Sequence, residues 1–135
     1  MKINKIVITE ADLERLRRLI DSARRFGQRD LEHIDSLEYE LDRAIIKGGE
    51  APASVVTLGS WVRLKDLDSK QTFRYQIVLP KDSDVTENRI SVLAPIGTGL
   101  LGYKVGTIVE WRVPSGVRRF KILDVQHQTE KDLVA

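Results

Sequence analysis

The chain contains no cysteine, which excludes a disulfide framework and any thiolate metal site. It has two histidines, His33 and His127, too far apart in sequence to suggest a structural zinc centre. No apolar run approaches the roughly 18 residues that a membrane span needs. The opening Met1-Lys2-Ile3-Asn4-Lys5-Ile6 lacks the apolar stretch of a signal peptide. Charge of one sign is also missing: 22 basic residues stand against 20 acidic ones, a net +2 that does not argue for nucleic acid. A cytoplasmic protein without membrane contact is expected. With 135 residues, 41% of them apolar and 31% charged, the chain has room for one globular domain, or a small domain with an appendage.

The distribution of charge is more informative than its sum. From Ala11 to Arg29 the basic residues prevail, and from Asp30 to Lys47 the acidic ones do. That order suits two antiparallel helices with cross-helix attraction. Thr9 reads as an N-cap, with Asp12 in the capping-box position. Leu13, Leu16, Ile20 and Ala23 then form one helical stripe by 3-4-3 spacing. Arg24 and Arg25 suit the last turn, and Gly27 can end it. Asp30 can cap a second helix, on which Ile34, Leu37, Leu41 and Ala44 repeat the stripe. Leu31 and Ile45 widen that stripe, and Gly48-Gly49 stop it. The expectation is a short αα-hairpin over residues 1–49, whose base packs on whatever follows because such a pair is marginal alone.

After residue 50 the period changes from helical to strand-like. Val62 and Leu64 alternate with charged residues, as do Phe73, Tyr75 and Ile77 with Arg74 and Gln76. Segments 90–93, 108–113 and 117–125 complete about five strands, with turns at 65–70 and at Pro114-Ser115-Gly116. An α+β chain follows: a helical hairpin and then, over 50–135, an antiparallel β-sheet domain.

Three motifs invite chemistry. Gly97-Thr98-Gly99-Leu100-Leu101-Gly102 matches G-x-G-x-x-G, but a new strand begins near Ile108 and leaves no room for the βαβ unit a dinucleotide needs. Tyr103 stands where a Walker lysine would be. The run reads as a tight connection with close backbone approach. Asp66-x-Asp68 suggests a cation loop, but Lys70 occupies the third ligand position, so a solvated turn is the better reading. No serine or histidine sits in a recognisable catalytic setting, and the strand-spaced aromatics Trp61, Phe73, Tyr75, Trp111 and Phe120 read as core or sheet surface. One segment, 93–101, is apolar yet carries proline and glycines. It is either a loop folded over the core or an exposed contact patch.

Ile90-Ser91-Val92-Leu93-Ala94-Pro95-Ile96-Gly97, then Leu100-Leu101-Gly102, Val105-Gly106-Thr107 and Pro114-Ser115-Gly116, resembles the C-terminal domain of the bacterial Gre transcript-cleavage factors. Val55 to Val62 resembles its opening. The departures are Thr107 for the usual aspartate and Ser115 for a turn glycine. Within that group the short hairpin, Glu40-Leu41-Asp42-Arg43-Ala44, Ala94 and Trp111 are most similar to the Rnk branch, the regulators of nucleoside diphosphate kinase.

The resemblance implies an FKBP-like C-terminal domain, a coiled-coil hairpin, and RNA polymerase as partner at the rim of its secondary channel. The contact is expected on the apolar segment through Ala94, Pro95, Ile96, Gly97 and Leu100, because proline and glycine hold it in one conformation and Gre-like proteins share it. In Gre factors acidic tip residues help hold a catalytic Mg²⁺. Here the tip includes Gln28, Arg29 and Asp30 and is mostly basic, so RNA cleavage is expected to be absent, with no cofactor, no metal and no catalytic residue. The chain is expected to compete with Gre-type factors as a monomer, without sequence-specific nucleic-acid binding. The rival readings are a true transcript-cleavage factor and a peptidyl-prolyl isomerase-like binding module.

Overall fold

The computed structural model describes residues 6–25 and 31–127. A short strand, β1 (Val7–Thr9), runs directly into helix α1 (Glu10–Arg25), and α2 (Leu31–Asp42) returns beside it. The cap is as the sequence suggests on one side: the Asp12 N–H donates to Thr9 Oγ1 at 3.2 Å. The Asp12 carboxylate, however, does not fold back on Thr9. It accepts instead from the Leu58 N–H at 3.0 Å, 46 residues away.

The hairpin seam is dry. Leu16, Ile20 and Ala23 of α1 and Ile34, Leu37 and Leu41 of α2 are each no more than 2% exposed. At roughly 1.5–3 kcal/mol for each large side chain, this seam outweighs the ion pairs on its flanks. Those pairs do follow the charge order along the chain: Arg17 meets Asp42 at 2.9 Å, and Arg24 meets both Asp35 at 2.9 Å and Glu38 at 2.7 Å. All are largely exposed, where such pairs contribute about 0–1 kcal/mol each.

The second helix ends sooner than its apolar spacing suggests. Residues Ile45–Lys47 form a strand, β2, which pairs in parallel with β1: Val7 with Ile45, Ile8 with Ile46, Thr9 with Lys47. Ile45 therefore does not widen the helical stripe, and it is half exposed. The ladder closes the open end of the hairpin. It also ties the hairpin to the rest of the chain, because the Val7 N–H donates to the Gly102 carbonyl at 3.0 Å. Ile6 lies over Gly102, where an added Cβ would come within 2.6 Å of the Ile6 side chain; Gly102 also has φ +84°. Ile6, Ile8 and the hairpin seam belong to the same buried cluster as Val62, Leu64, Ile77, Leu100 and Ile122. Gly48, Gly49 and Glu50, around the expected domain boundary, are all exposed.

The five expected strands are present as β3 (Trp61–Asp66), β4 (Thr72–Val78), β5 (Arg89–Ser91), β6 (Ile108–Val113) and β7 (Gly116–Gln126). Their order across the sheet is β5-β4-β3-β7-β6. The sheet is mixed rather than antiparallel, since β4 and β5 pair in parallel through Gln76 with Arg89, Ile77 with Ile90 and Val78 with Ser91. A parallel pair needs a crossover, and two 3-10 turns, Pro80–Asp82 and Val85–Glu87, supply it. A helical hairpin followed by a curled five-stranded sheet makes the fold α+β.

Candidate protein-interaction surface

The segment expected as a loop is a helix, α3 (Pro95–Leu100). Its sequence hides it: proline opens it, two of its six residues are glycine, and both lower helix propensity. Proline is tolerated because it occupies the first turn, where its missing N–H has no partner to lose. Hydrogen bonds from Thr98 and from the turn before the helix hold the rest. Thr98 Oγ1 donates to the Val92 carbonyl at 2.6 Å, the Thr98 N–H donates to the Ala94 carbonyl, and the Leu93 N–H donates to Ser91 Oγ. Gly97 presses so closely on the end of β5 that a Cβ there would lie 2.2 Å from the Ser91 carbonyl oxygen. The G-x-G-x-x-G run is thus a packing device, as its context suggests.

This helix changes the expected contact set. Leu100 is fully buried and Gly97 is buried, so neither side chain position offers surface to a partner. Ile96 is half-buried and packs against the core, so it is not an exposed loop apex. Pro95 is exposed and Ala94 half-buried. Of the expected contact residues, Ala94, Pro95 and the outer part of Ile96 lie at the surface, with Gly97 and Leu100 anchoring them from beneath. Gln28, Arg29 and Asp30 of the tip lie outside the described residues.

Between α2, α3 and β6 runs an open groove of about 700 Å³, which the sequence did not suggest. Tyr39 and Glu40 line one wall and Pro95 and Thr98 another, while Ile108 to Trp111 form its base. Tyr39 is 59% exposed. Trp111 packs on Phe120 with ring centroids 4.7 Å apart and stands close against Gly99. Burial, with the nearby Glu40 charge, pushes the Tyr103 phenol upward from its usual range, against the lowering effect of Arg43.

Elsewhere the polar groups are occupied structurally. Asp66 is buried at a turn, accepting from the Asp68 and Ser69 N–H groups and pairing with Arg118. The Arg118 hydrogen bond, aided by those backbone donors, lowers its pKa to about 2 despite burial. The Asp66-x-Asp68 pattern is accordingly a turn whose first carboxylate is already satisfied. The buried Asp12 behaves oppositely. Its removal from water pushes its pKa upward, against the lowering effects of the Leu58 N–H, Arg15 and His127. His127 itself lies 2.6 Å from the Val55 carbonyl oxygen. Among the described residues no group of three or more histidine or carboxylate side chains is placed to hold a metal ion. None of the described helices is long and apolar enough to cross a membrane.

Known proteins share this architecture. Residues 51–127 match the family model described as transcription elongation factor GreA/GreB, C-terminal, and residues 4–46 match the Rnk N-terminus model. The chain is 36% identical over 95 residues to the transcription elongation factor GreA of Thermotoga maritima, covering 70% of this chain and 61% of that protein. It is 41% identical over 93 residues to GreA of Clostridium botulinum strain Okra, covering 68% and 58% respectively. The chain thus spans about three fifths of the length of these relatives. Among solved structures, a prokaryotic transcription elongation factor GreA/GreB from Nitrosomonas europaea superposes with a TM-score of 0.76 at 39% identity. The match covers 91% of this chain and all of that one. Thermus aquaticus Gfh1 superposes with a TM-score of 0.53 at 28% identity, over 92% of this chain and 99% of that one. An N-terminal hairpin of Rnk type, joined to this mixed sheet with its glycine-packed α3, places the chain in the GreA/GreB family of transcription elongation factors.

Proposed function

We propose that the chain is an Rnk-type regulator that docks at the rim of the RNA polymerase secondary channel and competes with Gre-type factors without stimulating RNA cleavage. Family membership supports the partner, and the hairpin supports the lack of cleavage. That hairpin is the observation that carries the reading. Among the described residues its arms, Glu10–Arg25 and Leu31–Asp42, have 16 and 12 residues, about 24 and 18 Å at 1.5 Å per residue. The tip sequence supplies one carboxylate, Asp30, flanked by Arg29. A lone carboxylate beside a cation is a weak Mg²⁺ holder, because Mg²⁺ requires several oxygen ligands. On this reading the chain contributes no catalytic residue, needs no cofactor, and acts in the cytoplasm where polymerase is.

The docking surface in this reading is α3 through Ala94, Pro95 and Ile96. A short helix locked by Gly97, Thr98 and Leu100 loses little freedom on binding, which favours affinity. The test is binding of the fluorescently labelled chain to core polymerase, with GreA as competitor. Saturable binding displaced by GreA is expected, and Pro95→Glu should weaken it at least tenfold while leaving the melting temperature unchanged. Binding unaffected by GreA would refute competition, and a folded Pro95→Glu variant with normal affinity would move the interface off α3.

A further inference from the structure

The groove beside α2 has a feature that polymerase docking through α3 does not use: its base is the open edge of the sheet. Strand β6 is last in the order β5-β4-β3-β7-β6. The Thr107 carbonyl accepts from the Ile122 N–H at 2.9 Å, so the alternation of an antiparallel ladder turns the backbone groups of Ile108 and Glu110 away from β7. Neither residue makes a backbone hydrogen bond outside the sheet ladders among the described residues. The opposite edge is different: β5 is three residues long, and Arg89 at its start is tied back to Asp84 by a bridge. Open edges are normally shortened, bulged or covered. Along the groove Ile108 and Glu110 are instead exposed, while Val109 is buried and Trp111 half-buried.

We propose that this groove receives an extended, positively charged peptide segment of a protein partner, added to the sheet as a strand along β6. Backbone pairing would supply affinity and the walls specificity, the usual division of labour in strand addition. The walls define the charge. Asp35, Glu40 and Glu110 line the groove, whereas no lysine or arginine does among the described residues. Asp35 is engaged by Arg24, which leaves Glu40 and Glu110 as the acceptors for an incoming cation. The exposed Tyr39 ring on this wall already carries the Arg43 guanidinium 5.0 Å from its centroid, so the carboxylates rather than the ring are left to meet an incoming cation. The same carboxylates repel a phosphate backbone, which disfavours nucleic acid. The inference shares Pro95 with the polymerase reading but rests on the β6 edge and its carboxylates, which that reading does not use.

The test uses the full chain and an acetylated, amidated heptapeptide of alternating arginine and valine. Calorimetry should show saturable binding, and hydrogen exchange should slow at the Ile108 and Glu110 amides. Of two peptides N-methylated at odd or at even residues, one should bind at least tenfold more weakly. Glu40→Lys and Glu110→Lys should each weaken binding at least tenfold. No binding would overturn the proposal. Equal binding by both N-methylated peptides, or by a peptide with glutamate in place of arginine, would also overturn it. So would protection confined to other strands, tighter binding of a single-stranded oligonucleotide, or a chain dimer that buries β6. Polymerase affinity measured on Glu110→Lys keeps this outcome separate from docking through α3.

Discussion

Asp12 gives the sharpest test of how the hairpin is fixed to the sheet domain. Asp12 is 7% exposed, and its carboxylate accepts from the Leu58 N–H at 3.0 Å, a contact that joins the first turn of α1 to the segment leading into β3. Asp12→Ala removes the acceptor. A buried donor left without a partner costs about 1–3 kcal/mol, and loss of a first-turn anion adds about 0.3–1 kcal/mol. Leu58 is only half-buried, and removing the charge relieves its desolvation. A net loss of about 1–2 kcal/mol is therefore expected. Asp12→Asn keeps an acceptor of the same shape and drops the charge. Because burial raises the Asp12 pKa above its unfolded value of 3.8, the Asp12 contribution is most favourable below that value and fades as pH rises through the folded pKa. Asp12→Asn should thus match or exceed the parent at neutral pH, and the difference should shrink as pH falls toward 4. Guanidinium unfolding of the three proteins, followed by circular dichroism across that range, measures both effects. An Asp12→Ala change below about 0.5 kcal/mol would refute the anchoring role. A pH-independent deficit in Asp12→Asn would refute the desolvation argument.

Leu37, 1% exposed in the hairpin seam, should cost about 2–5 kcal/mol when replaced by alanine, read from thermal melts. The Asp66–Arg118 pair acts in the opposite pH sense to Asp12. With its pKa lowered to about 2, Asp66 contributes stability above pH 3.8 that is lost as pH falls through 2, and Asp66→Asn should flatten the acid limb of the stability profile. Gly97→Ala should destabilise by about 1–3 kcal/mol or prevent folding, because its Cβ would meet the Ser91 carbonyl at 2.2 Å; unchanged unfolding would mean that α3 is not seated on β5.

The sequence carried the hairpin well, because the seam residues Leu16, Ile20, Leu37 and Leu41 repeat at helical spacing and the charges change sign between arms. It carried β3, β4, β6 and β7 through alternation and the Pro114-Ser115-Gly116 turn. It could not carry β2: Ile45 continues an apolar stripe, and only the pairing of Ile45 and Ile46 with Val7 and Ile8, 38 residues earlier in each case, makes them a strand. Helix α3 was hidden by Pro95, Gly97 and Gly99, whose local preferences are overruled by contacts with β5 and Trp111. The apolar segment 93–101 carries no period that separates inward from outward residues, so Leu100 joins the expected contact set, whereas the helix turns it into the core. The groove draws its walls from residues 33–40, 93–103 and 108–111, separations that no local pattern spans.

The proposal that the chain engages polymerase without promoting cleavage is tested most directly on stalled elongation complexes, by measuring release of short 3′ RNA fragments. The chain alone should leave the rate at the level of untreated complexes, and added in excess it should slow release stimulated by GreA. Accelerated release by the chain, abolished in Asp30→Ala, would contradict the account.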